Sequence, residues 1–287
     1  MNQFKTVALL SLLSALLISI SYYIIGGSGG VVFGIIIAAV TNLGSWYYSD
    51  KIALSAHQAR PATRDEAPEL YAMVEKLAAK AEIPMPGVYI LPTDAANAFA
   101  TGRDPEHAAV AVTQGIMRTL PASELEGVIA HELSHIINRD TLTQAVAATI
   151  AGAIAFLAQI LQYSMWFGGM GSRDEDGPNP LALMATLILA PMAATVIQLG
   201  ISRTREFAAD AGAAKLTGNP RALASALQRL EASARQMPMA SNPAFEPLMI
   251  MHAVPKQLFS GLFSTHPATE QRVERLLALE QELATAA

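Results

Sequence analysis

Residues 6–49 read TVALLSLLSALLISISYYIIGGSGGVVFGIIIAAVTNLGSWYYS, with Lys5 before them, Asp50 after them and no charged residue between. An apolar helix of ~20 residues crosses the hydrocarbon of a bilayer, and this run is long enough to cross twice. It is interrupted at Gly26-Gly27-Ser28-Gly29-Gly30, a composition with little helix propensity that favours a turn. The sequence therefore predicts spans over 6–25 and 31–49. A cleaved signal peptide is the competing reading, but its apolar region runs only ~7–15 residues, and no second span follows at once.

The whole chain repeats the theme. Of its 287 residues 52% are hydrophobic and 15% charged, with a mean hydropathy of +0.33, whereas a soluble domain carries ~25% charged residues. That composition excludes a disordered chain, and with a net charge of −5 it excludes a nucleic-acid binder. Cysteine is absent, so there is no disulfide framework, thiolate metal site or cysteine nucleophile. Any metal must be held by histidine and carboxylate.

Two further charge-free runs, Thr141 to Ser172 and Gly177 to Ser202, flank the acidic stretch Arg173-Asp174-Glu175-Asp176. Spans are predicted at 143–163, where Gln144, Gln159 and Gln162 intrude, and at 181–200, where Pro191 is tolerable as a kink. A buried helix pair of a soluble protein is the alternative there. Lys5, Lys51, Arg60, Arg64, Arg139, Arg203 and Arg205 all lie at one end of these hairpins, against Arg173 at the other. The positive-inside rule puts both termini and both polar segments in the cytoplasm. The division is a transmembrane hairpin (1–50), a polar part (51–140), a second hairpin (141–201) and a second polar part (202–287).

In the polar parts, Leu70, Met73, Val74, Leu77 and Ala81 repeat at helical spacing and predict a helix over 65–81. Strands are expected at 87–91, 98–101 and 108–113. A helix over 123–138 has Ser123 and Glu126 at capping-box spacing. Later helices are expected at 203–217, 220–236 (Asn219 as cap, Pro220 first) and 268–284, while 237–264 is a loop rich in Met and Pro.

On the 123–138 helix stands His131-Glu132-Leu133-Ser134-His135. Four residues make just over one turn, so both imidazoles leave one face and can share a tetrahedral Zn²⁺. Glu132 is placed to take a proton from a water the metal activates. A third protein ligand is needed, with a fourth position open. Glu206 is the best candidate. Asp210 shares its helical face and can accept the ring N–H of a ligand histidine. A solvated acidic face beside Arg203 and Arg205 is the plain alternative, and His57, His107 and His252 read as structural or exposed histidines. Two spans separate His135 from Glu206, so both reach the same side, and the metal should lie close to the membrane surface.

The ordered set of a double-span N-terminus, Asn97-Ala98-Phe99-Ala100-Thr101-Gly102, HELSH, a second hairpin, Glu206 with Asp210, and Ser264-Thr265-His266-Pro267 resembles the HtpX family of bacterial and archaeal membrane zinc endopeptidases. The resemblance runs along essentially the whole chain. It implies a multi-pass protein of the cell (inner) membrane, with four transmembrane helices in two hairpins and a mainly α, α+β zincin-type catalytic domain facing the cytoplasm. It implies one zinc ion per chain on His131, His135 and Glu206, with Glu132 as base. Its substrates would be misfolded or damaged membrane proteins, met at the lipid bilayer. The resemblance also lends a role to Asn97 and the strand after it, as the edge of the cleft where a substrate backbone pairs. It places His266 near that cleft as a donor to the oxyanion, with Arg272 a second candidate for that charge. Two other readings stay open: a prenyl-protein-type zinc endoprotease, which normally needs more spans, and a non-enzymatic four-span scaffold.

Overall fold

The computed structural model describes residues 2–151, 203–237, 248–250 and 267–286. The predicted fourth span, most of the third, the acidic stretch between them, His252 and His266 lie outside the described residues.

Two helices, α1 (Asn2–Ile25) and α2 (Gly27–Tyr47), form the first hairpin. The predicted five-residue turn is in fact a break at Gly26 and Gly27, whose φ values of 81° and 56° suit glycine. Two of the glycines inside α2 stand where α1 comes close. A Cβ on Gly30 would lie 2.6 Å from the Ser21 carbonyl oxygen, and one on Gly34 would lie 2.7 Å from the Ile18 Cα. Gly30, Gly34 and Ala38 are buried at four-residue spacing, the small-residue stripe that lets apolar helices approach without a water-driven core. Asn42 adds polar contacts across the pair, donating to Ser14 Oγ at 2.8 Å and to the Leu10 carbonyl at 3.3 Å. The opposite face of α2 exposes Val32, Phe33, Ile35, Ile36, Val40 and Leu43.

Four transmembrane helices are the sequence expectation. Among the described residues, α2 is the one helix long and apolar enough to cross a membrane by length and composition. Thr6–Ser19 in α1 and Thr141–Ala151 form shorter apolar helical stretches.

After a short α3 (Ser49–Ala56) comes a four-stranded sheet, β1 (Arg60–Pro61), β2 (Gly87–Leu91), β3 (Ala98–Gly102) and β4 (Ala108–Thr113), in the order β1-β2-β4-β3. The β2–β4 pair is parallel, and the other two are antiparallel. β3 is therefore an edge strand. α4 (Pro68–Lys80) supplies the connection between β1 and β2, starting three residues later than predicted because Pro68 takes the first helical position, where its missing N–H costs nothing.

Beyond α5 (Gln114–Thr119), α6 (Ala122–Ile137) runs through the centre of the domain. Its residues from Gly127 to Ile136 are all buried, so it carries the polar His131, Glu132, Ser134 and His135 into the interior. The predicted capping box is not formed. Pro121 sits at the N-cap with no side-chain bond, and Glu126 instead reaches Lys76 at 2.8 Å across to α4.

The described part of α7 (Thr141–Ala151) leaves α6 after a three-residue turn and is bonded to α1 by the buried Thr6–Thr143 hydroxyl pair at 2.9 Å. α8 (Arg203–Thr217), α9 (Pro220–Gln236) and α10 (Thr269–Ala286) complete the described chain. α9 starts as predicted, with the Asn219 side chain accepting from the Ala222 N–H at 3.1 Å. Close approaches fix α6 between α8 and α9: Gly127 lies against Leu223, and Gly212 against Ser134. The main core joins the sheet's inner face to α4, α6, α8 and α9. A second cluster joins its outer face to α1, α3 and α7 through Leu13, Leu54, Leu91, Phe99, Val146 and Ile150.

Candidate metal centre

α6 delivers His131 and His135 one turn apart, with ring centroids 4.8 Å apart and planes nearly perpendicular. α8 delivers Glu206 opposite them. His131 Nε2 lies 3.7 Å from Glu206 Oε2, and His135 Nε2 lies 3.6 Å from Glu206 Oε1. These separations are too long for good hydrogen bonds. They are close to the ~3.3–3.4 Å edge of a tetrahedron drawn with zinc–ligand bonds of ~2.0–2.1 Å. All three residues are buried, and one ligand atom from each lies within 4.8 Å of the others.

The outer ring nitrogens have partners of their own. His131 Nδ1 lies 2.9 Å from Asp210 Oδ1, and His135 Nδ1 lies 3.1 Å from Asp140 Oδ2. With carboxylates there, each Nδ1 is assigned the proton, and each Nε2 keeps its lone pair for the space shared with Glu206. Asp210 is held by Arg272 through two bonds, Nε to Oδ2 at 2.9 Å and Nη2 to Oδ1 at 2.7 Å.

The charges of the cluster are consistent with a divalent cation. Glu132, Asp140, Glu206 and Asp210 are buried carboxylates, and Arg205 and Arg272 are the buried guanidinium groups among them. Formally this leaves two negative charges in excess, far from water, where unbalanced charge is costly. Without a metal, that excess favours proton uptake. Burial pushes the Glu132 carboxyl up, with Glu206 adding to it, to about 7. For His135 burial acts against the charged form, but Glu206, Asp140 and Glu132 outweigh it and lift the ring to about 9. His131 goes the other way, to about 4, mainly by burial and with the positive Arg272 contributing. A metal ion would replace those protons, as binding to deprotonated ligands requires.

Glu132 lies outside the three-residue ligand set and accepts a hydrogen bond from the backbone N–H of Ala100 in β3. The edge strand is thus bonded directly to the carboxylate beside the metal cluster. The Ala98 carbonyl of the same strand accepts from the Ile250 N–H at 3.0 Å. Asn97 is buried at the strand's start, its backbone N–H donating to Thr113 Oγ1 at 2.9 Å and its Oδ1 accepting from the Ala98 N–H at 3.0 Å. The structure places Arg272 on Asp210 and within 3.9 Å of Glu206. His57 is a buried histidine against Phe99 with its Nδ1 on the Ala53 carbonyl, and His107 is exposed beside Asp104.

The profile described as peptidase family M48 matches residues 64–280, which take in strands β2 to β4, α6, α8 and most of α10. The chain belongs to peptidase family M48. It is similar over its whole length to a protease HtpX homolog of Trichormus variabilis, at 67% identity over 287 residues covering 100% of this chain and 99% of the relative. A protease HtpX homolog of the archaeon Pyrococcus furiosus is 51% identical over 280 residues, covering 97% and 96%. The crystal structure of S. mikatae Ste24p overlaps it with a TM-score of 0.49 at 18% identity, covering 93% of this chain and 65% of that one. The protein is thus a membrane zinc metalloprotease of the M48 family, and the scaffold alternative falls. Two buried residues of the cluster escaped the sequence reading, Asp140 and Arg205. The sole local signal was a carboxylate five residues after His135.

The packing of α8 on α6 has a consequence for the M48 site. A Cβ on Gly212 would lie 2.6 Å from Ser134 Oγ and 3.0 Å from Ser134 Cβ. Gly212→Val should therefore push α8 outward and carry Glu206 with it. Overpacking of this kind costs about 1–3 kcal/mol. Denaturant unfolding should show that loss, and zinc titration of the folded variant should show weaker binding.

Proposed function

We propose that His131, His135 and Glu206 hold one zinc ion per chain and that Glu132 moves the proton during hydrolysis of peptide bonds in membrane proteins. The observation that carries this reading is the convergence of both Nε2 atoms on one buried carboxylate at distances of 3.6 and 3.7 Å. Bound zinc supplies Lewis-acid activation of the scissile carbonyl and of water. Glu132 takes the proton of the attacking water and passes it to the leaving amine, a role its place beside the ligand pair and outside the ligand set suits. Among the described residues β3 is an edge strand bonded to Glu132, and an extended polypeptide aligns along it by displacing the Ile250 N–H from the Ala98 carbonyl.

Damaged or misfolded membrane proteins are the proposed substrates, taken from the cytoplasmic face. The arrangement at the end of α2 supports a membrane boundary beside the domain. Trp46, Tyr47 and Tyr48 are exposed there, Arg103 lies 4.5 Å from the Tyr47 ring and Lys51 lies 5.3 Å from the Tyr48 ring. Aromatic rings with adjacent cations are the usual furniture of the lipid–water interface. The basic residues at that end of the hairpins support a cytoplasmic placement. The test is metal analysis and casein digestion by the detergent-purified full chain. Stoichiometric zinc is expected, with digestion that a chelator abolishes and added zinc restores. Digestion that survives metal removal would sink the proposal.

A further inference from the structure

Asp140 stands where the catalytic helix turns into α7, and the backbone there is shaped to present it. α6 closes with the Arg139 N–H on the Ile136 carbonyl at 3.0 Å and the Asp140 N–H on the His135 carbonyl at 2.9 Å. That is the double bond of a Schellman ending, which needs a left-handed residue between the helix and the bond. Arg139 takes that conformation with φ 56°, although a side chain there is strained and glycine is the usual occupant. The turn swings the Asp140 side chain back over the last turn of α6. Its Oδ2 reaches His135 Nδ1 at 3.1 Å and its Oδ1 lies 3.8 Å from Arg205 Nε. The Asp140 carbonyl accepts from the Gln144 N–H at 3.1 Å, so the same residue opens α7. Only 1% of its surface is exposed.

We infer that Asp140 is a positioning residue for the metal ligand His135 and that it couples this ligand to the helix that follows. It accepts the Nδ1–H of His135 and so turns the Nε2 lone pair toward Glu206, as Asp210 does for His131 on the other side. Arg205, the residue before Glu206, faces Asp140 from α8, so one helix supplies both a ligand and a cation near this second carboxylate. Because Asp140 opens α7, a displacement of α7 displaces the carboxylate on which His135 rests. This inference relies on the zinc reading above.

Asp140→Asn and Asp140→Ser test it in the full chain purified in detergent. Asn and Ser both suit a helix start, so α7 keeps its opening while the carboxylate is lost. Zinc affinity is measured by competition with a chromophoric chelator, the ligand set by the visible spectrum of the cobalt-loaded protein, and the fold by thermal unfolding without metal. Both variants should fold, with an unfolding temperature lowered because buried His135 and Arg205 lose a carboxylate, bind zinc about 10–100-fold more weakly and show an altered cobalt spectrum. Arg139→Gly, which keeps Asp140 and suits the turn, should bind zinc like the wild type. Unchanged zinc affinity in both folded variants overturns the inference, as does failure of both to fold, which would make Asp140 a residue of the fold only. Wild-type protein that binds no zinc would instead remove the metal reading beneath it.

Discussion

Glu132→Gln should bind zinc as the wild type does and digest casein about a thousandfold more slowly. The carboxylate is 2% exposed, adjoins the histidine pair and accepts from the Ala100 N–H, yet it is not one of the three residues whose ligand atoms converge. Glutamine has nearly its shape and keeps an oxygen for the Ala100 N–H, so the fold and β3 should hold. What it lacks is a basic oxygen for the proton. General acid–base catalysis contributes about 10²–10⁴-fold, and an expected loss of about a thousandfold is the middle of that range. Zinc content and turnover must be measured on the same preparation. Zinc lost with activity would make Glu132 a ligand, and turnover within tenfold of the wild type would remove it as the base.

The sequence and the structure agree most closely where a local signal exists. β2 and β4 match their expected ranges because runs of β-branched and small apolar residues end at Gly87, Leu91, Ala108 and Thr113. α9 matches because Asn219 and Pro220 mark its start chemically. The histidine pair and the Glu206/Asp210 pair are readable because each lies within one helix, where spacing alone decides which side chains share a face. What joins the two pairs is tertiary. Nothing near Glu206 in the sequence specifies that Gly212 will admit Ser134 and set α8 against α6. The turn at Asn138-Arg139-Asp140 was unreadable because its left-handed residue is arginine rather than glycine. The glycines after Ile25 were misread for the opposite reason. Their propensity says turn, but the chain breaks only briefly there, and Gly30 is a close contact with α1 inside the next helix. β1 is two residues long and exists only through its pairing with Tyr89 and Ile90, so no periodicity could announce it.

Arg272→Met should destabilise the protein by about 3–5 kcal/mol, the usual result of removing one partner from a buried ion pair. Arg272 is 2% exposed and Asp210 2%, and the two meet through paired bonds of 2.9 and 2.7 Å. Burial alone would raise the Asp210 carboxyl, but Arg272 and His131 hold it below its usual value. Methionine fills much of the volume and leaves the carboxylate with His131 as its remaining partner among those contacts. It also takes the formal excess in the cluster from two negative charges to three. The same substitution frees α10 from the metal cluster, since Arg272 in its first turn is the residue that reaches Asp210 and Glu206. The cause can be separated from lost packing by a double-mutant cycle on the metal-free protein. Asp210→Asn keeps an acceptor for His131 Nδ1 while removing the charge, so adding it to Arg272→Met should recover stability. The two losses should fall short of additivity by about 2–3 kcal/mol, within the range seen for contacting residues. Additive losses in denaturant unfolding would mean that Arg272 stabilises α10 by packing, and that Asp210 is oriented by something other than the guanidinium.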